Sequence, residues 1–74
     1  MDEKQMISKA KNYLRIHYGE DTVSMDVTDN AVGEKGDGVL SVDCTVSVGG
    51  SLSNWSKKFH FKQGEISRMD WKLR

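Results

Sequence analysis

The spacing of apolar residues changes at Gly19. Before it, Met6, Ile7, Ala10, Tyr13, Leu14, His17 and Tyr18 recur three and four positions apart, which gathers side chains on one face of an α-helix. Lys4, Lys9, Lys11, Asn12 and Arg15 occupy much of the opposite side. Asp2 and Glu3 lie at the positive end of the helix dipole and Gly19 suits the C-terminal cap, so the pattern predicts one amphipathic helix over residues 3–18. After Gly19 the period falls to two. Val23, Met25 and Val27 alternate with Thr22, Ser24, Asp26 and Thr28, and Leu40, Val42, Cys44, Val46 and Val48 alternate with Ser41, Asp43, Thr45 and Ser47. Trp55, Phe59 and Phe61, then Met69, Trp71 and Leu73, repeat the alternation, the mark of half-buried strands. Residues 1–74 therefore read as one two-layer α+β domain. Its N-terminal helix packs on a four-stranded antiparallel β-meander, in the order α-β-β-β-β.

Turn chemistry extends this reading to strand register. A two-residue Gly49-Gly50 loop sets Val48 against Ser51, Cys44 against Trp55 and Leu40 against Phe59. For the last hairpin, a three-residue Lys62-Gln63-Gly64 loop keeps one face apolar, and it predicts Trp55 opposite Trp71 and Lys57 opposite Met69. For the first hairpin, Ala31 opposite Gly38 brings Val27 to Val42, Met25 to Cys44 and Val23 to Val46. The helix is expected on this apolar face, with Trp55, Phe59, Phe61 and Trp71 beneath it. Ile66 falls outside the pattern. Lys57 is a charge on the inward side, expected at a rim, at a bulge, or in a groove that takes an anion. Residues 30–38, with Gly33, Gly36 and Gly38, form a loop longer than its hairpin requires and expected to be mobile.

Composition narrows the functional classes. Eleven Lys and Arg balance eleven Asp and Glu in 74 residues, yet the balance is uneven along the chain. Residues 1–37 carry five cations and eight anions, and residues 38–74 carry six cations and three anions. No apolar run approaches the roughly 20 residues of a membrane span, and the charged first twenty residues do not read as a secretory signal. With one cysteine, Cys44, no internal disulfide can form, so a cytoplasmic, reducing environment is the expectation.

Candidate chemistry is sparse. The predicted register places Asp26, Asp43, Ser56 and Asp70 in one row of the open sheet face. Asp26 and Asp43 are the weak candidates for a divalent cation, since oxygen ligands suit such ions; otherwise the two carboxylates are simply solvated. Lys58, His60, Lys62, Arg68, Lys72 and Arg74 form a candidate basic stripe for a phosphate backbone, or else guard an edge hairpin against aggregation. Parity sends the aromatic rings to the other face, so no stacking platform accompanies these cations. Cys44 reads as a buried structural thiol. No phosphate loop, metal-ligand spacing or nucleophile elbow is present, and neither catalytic residues nor a cofactor are expected.

The order of a helix followed by a curled sheet resembles, in architecture alone, the plan of cystatin-like domains, and architecture carries no function with it. The leading expectation is a non-enzymatic interaction module. It would bind a protein partner, or self-associate as an antiparallel homodimer, through the open sheet face or a sheet edge. The alternative is a nucleic-acid-binding domain using the basic face of the last two strands. A membrane is not an expected partner.

Overall fold

The computed structural model describes residues 1–74, with α1 at Glu3–Tyr18, β1 at Asp21–Val32, β2 at Gly38–Val48, β3 at Ser51–Lys62 and β4 at Glu65–Leu73. The strands form one antiparallel sheet in the order β1-β2-β3-β4, so the α-β-β-β-β meander is the observed fold class. Asp2 caps α1. Its carboxylate accepts from the Gln5 N–H at 2.8 Å, and the Gln5 side chain accepts from the Asp2 N–H at 3.0 Å, a reciprocal capping box. Gly19 closes the helix at φ 64°, its N–H donating to the Arg15 carbonyl at 3.1 Å, a left-handed turn that glycine adopts without a Cβ clash.

Met6, Ala10 and Leu14 bury the helix face against Leu40, Val42, Cys44, Val46, Phe59, Phe61 and Met69. The sheet curls about α1, which comes closest to the two edge strands. Asn30 reaches Glu3 and Lys9 reaches Glu65, so the N-terminal half of the helix is tied to both edges. Length then decides what stays open. Sixteen helical residues span about 24 Å, whereas a twelve-residue strand such as β3 spans up to about 36 Å. The sheet therefore outruns the helix toward the Gly49-Gly50 hairpin.

The β2–β3 ladder has the predicted pairs, Val48 with Ser51, Cys44 with Trp55 and Leu40 with Phe59. Gly49 and Gly50 at φ 56° and 85° make the two-residue turn whose twist matches the strands. The other two ladders differ from expectation because they contain bulges. In β1–β2, Met25–Cys44 and Val27–Val42 hold, but shifts between Thr22 and Ser24 and between Val27 and Asp29 pair Thr22 with Val46 and make the ends Asp21–Ser47 and Val32–Gly38. The extra residues are Val23 and Thr28, and Val23 is consequently 60% exposed instead of packing on Val46.

In β3–β4 the loop is two residues, Gln63 and Gly64 at φ 52° and 80°, not three. One extra residue, Ser67, lies between Phe61–Ile66 and His60–Arg68. This bulge restores the alternation that a two-residue loop alone would break. The observed pairs are Phe59–Met69, Lys57–Trp71 and Trp55–Leu73, replacing the expected Trp55–Trp71 and Lys57–Met69. Ile66 takes an inward, half-buried place beside the core.

The first-hairpin loop is also tighter than expected. Strand β1 continues to Val32, leaving residues 33–37. The Gly64 N–H donates to the Gly36 carbonyl at 3.0 Å and the Gln63 N–H to the Asp37 carboxylate at 2.8 Å. Gly36 is buried at φ 83°, and a Cβ there would run into the Gly64 backbone. The glycine serves close approach between two turns, so the loop is pinned and not a free flap.

Candidate functional site

The bulge at Ser67 rearranges the open face. One row now reads Asp26, Asp43, Ser56 and Lys72, and the next reads Asp29, Ser41, Lys58 and Asp70. Asp70 thus moves out of the predicted Asp26–Asp43 row into the middle of the cations. Its carboxylate meets His60 Nε2 at 2.8 Å and lies 3.9 Å from Arg68 Nη1. The hydrogen bond to His60, helped by the Arg68 and Lys58 charges, holds the Asp70 carboxyl below the usual carboxylate range.

Arg74 reaches across β3, 3.9 Å from Asp43 and donating to the Cys44 carbonyl at 3.2 Å. Of the six candidate cations, Lys58, Lys62 and Lys72 make no ion pair, while His60, Arg68 and Arg74 are engaged with carboxylates. A groove of about 380 Å³ on this face is lined by Lys58 and Lys72 together with Asp43 and Asp70. Its charge is mixed. The Asp26–Asp43 juxtaposition is present as expected, but Asp43 accepts from Ser56 Oγ at 2.8 Å and faces Arg74. No group of three or more His, Cys, Asp or Glu side chains gathers for a metal.

The helix side holds an arrangement that sequence reasoning only half anticipated. Lys57, 3% exposed, directs its ammonium to Glu20 at 2.9 Å, whose side chain is 13% exposed. The same ammonium lies 5.1 Å from the Trp55 ring centre and 5.8 Å from that of Tyr18, within the range of cation–π attraction. Lys57 therefore lies at the rim where the helix stops covering the sheet, with its head over the aromatic rings and its charge met by Glu20 of the same chain; no bulge falls at it. Glu20 was missed because it stands thirty-seven positions away; the available signal was a carboxylate immediately after the helix cap. Burial is the main influence on the neighbouring Cys44, pushing its thiol up, with Lys57 and Arg74 opposing and Glu20 and Asp43 reinforcing.

Beyond this pair the helix runs out. Tyr18 contacts Trp71 edge-on at 6.1 Å between ring centres, yet Trp71 remains 57% exposed and Leu73 63% exposed. Phe59 and Phe61 are buried as expected. Trp71 shares their face, but lies past the helix on an edge strand.

The main-chain geometry of that edge follows from one hydrogen bond. The Arg74 N–H donates to the Asn54 carbonyl at 3.1 Å, next to the Trp55–Leu73 pair. In an antiparallel ladder this makes Leu73 a non-hydrogen-bonded pair, with bonded residues alternating on either side. Asp70 and Lys72 therefore turn their N–H and C=O groups into β3, and Met69, Trp71 and Leu73 turn theirs outward. The opposite edge, β1, is broken by two bulges and carries Asp21, Asp26 and Asp29, features that discourage strand addition. No helix is long and apolar enough to cross a membrane. No family model, curated protein or solved structure matches this chain.

Proposed function

We propose that this chain is a non-enzymatic interaction module that takes a protein strand, from a partner or from another copy of itself, along the free edge of β4. The observation that carries this reading is the outward row of main-chain groups at Met69, Trp71 and Leu73, beside the exposed faces of Trp71 and Leu73. A strand laid there gains a ladder of main-chain hydrogen bonds and covers apolar area in the same step. Trp and Tyr suit such a surface because they offer much contact area for little conformational entropy. The open face supports nucleic acid less well. Asp70 interrupts its cations, and no Trp, Tyr or Phe projects from it to stack on bases.

The test is an amide NMR titration of the labelled protein with a nine-residue peptide of the sequence of residues 65–73. Shifts centred on Met69, Trp71 and Leu73, absent with a scrambled peptide, are the expected result. No response there, together with salt-sensitive shifts around Lys58, Lys62 and Lys72 on adding short single-stranded DNA, would replace this reading with a nucleic-acid one.

A further inference from the structure

We infer that the strand best fitted to this edge is β4 of a second copy, antiparallel about a two-fold axis, with Trp71 opposite Trp71 and Asp70 opposite Lys72. The inference rests on the reading of β4 as an interaction edge and adds the occupant and its register. Past the Ser67 bulge, Met69, Trp71 and Leu73 are the β4 residues whose main-chain groups turn outward, so in an antiparallel pairing along this stretch these face one another. That leaves a few two-fold registers, and the side chains on the open face discriminate among them.

Centring on Asp70 opposes the two Asp70 carboxylates and sets Arg68 against Lys72. Centring on Lys72 opposes two ammoniums. Centring on Met69 carries Trp71 onto the Ser67 bulge of the other copy, where the ladder is broken. Centring on Trp71 avoids all three faults. Asp70 and Lys72 then form opposite-charge cross-strand pairs on both sides of the axis, each favourable where a like-charge pair would oppose association. Trp71 exchanges hydrogen bonds with Trp71, and Met69 with Leu73 at each end, about six main-chain bonds in all.

This contact is isologous, as closed dimers require. Arg68 falls opposite Arg74 at the ends, but Arg74 is drawn back over β3 toward Asp43 and the Cys44 carbonyl. On the helix side, the exposed Trp71 and Leu73 of both copies become neighbours, with the two Tyr18 rings beside them. Two four-stranded sheets thus continue into one, and the surface each helix leaves open is covered by the other copy.

Charge reversal tests the register. Asp70→Lys sets ammonium against ammonium, and Lys72→Asp sets carboxylate against carboxylate. Each alone is expected to weaken self-association by about ten-fold or more in sedimentation equilibrium. An equimolar mixture of the two variants restores association as a mixed dimer. Both residues are exposed, and the mixing arm itself reports on folded chains. A wild-type protein that stays monomeric to millimolar concentration overturns the dimer, while peptide shifts at residues 69–73 would still uphold the interaction edge. A dimer indifferent to either reversal, or one that the mixture fails to restore, overturns this register.

Discussion

Glu20→Gln removes the carboxylate that neutralises Lys57 while keeping the shape of the side chain. The ammonium it abandons is 3% exposed and has no other ion-pair partner, so water cannot take over the role of the carboxylate. Breaking a buried pair from one side costs about 3–5 kcal/mol. The Gln carbonyl can still accept a hydrogen bond, and the Trp55 and Tyr18 rings remain in place, so the lower end, about 3 kcal/mol, is expected. A chain of 74 residues holds about 4–11 kcal/mol of stability in total. The variant therefore loses roughly a quarter of it or more, and its Tm falls by about 12–24 °C. Urea unfolding followed by tryptophan fluorescence measures the loss. Adding Lys57→Met to Glu20→Gln fills the same volume without a buried charge, and recovers all but about 1 kcal/mol. A Glu20→Gln cost below about 1 kcal/mol, or a double variant less stable than the single one, would mean that the two charges are not buried and mutually dependent.

Three further outcomes follow from the same structure. Gly36→Ala forces a Cβ into the Gly64 backbone at φ 83° and should cost about 2 kcal/mol or more in the same unfolding assay, against about 1 kcal/mol for Gly50→Ala in open space. Cys44 should react with a thiol reagent only at the rate at which the domain opens, since burial hides the thiol and pushes its ionisation upward. Because the folded-state value is raised, the thiol's contribution is fully present at neutral pH and fades as the solution is taken above the ordinary thiol value. Asp70 has the opposite sign. Its carboxyl is lowered in the fold by His60 first and Arg68 and Lys58 after it, so its contribution is present above the ordinary carboxylate value and lost as pH falls through the lowered one. Asp70→Asn should flatten that acid limb of a stability-versus-pH profile.

Most of the architecture was legible because it rests on periodicity. The helix over 3–18 and the Gly49-Gly50 register depend on repeated apolar spacing and one strong turn signal. What escaped is the set of single-residue interruptions at Val23, Thr28 and Ser67. A bulge adds one residue without changing composition, yet it resets the partners, and in β1 the faces, of the residues around it. Val23 resembled a core residue for that reason, and Asp70 was placed in the wrong row. The exposure of Trp71 was hidden for another reason. Alternation assigns a face, but whether that face is covered depends on where a helix of fixed length ends above a longer sheet. Lys57 was visible as an anomaly, and its resolution required the three-dimensional approach of Glu20.

Residue-resolved amide hydrogen exchange reads the free edge of β4 strand position by strand position. In dilute protein, the amides of Asp70, Lys72 and Arg74 should be protected by their bonds to β3, while those of Met69, Trp71 and Leu73 exchange quickly from the same strand. Raising the protein concentration, or adding the peptide of residues 65–73, should then slow the second set selectively. Protection that runs evenly along β4, or fast amides at 69, 71 and 73 that never slow under either condition, would mean that β4 is not an edge that takes a further strand.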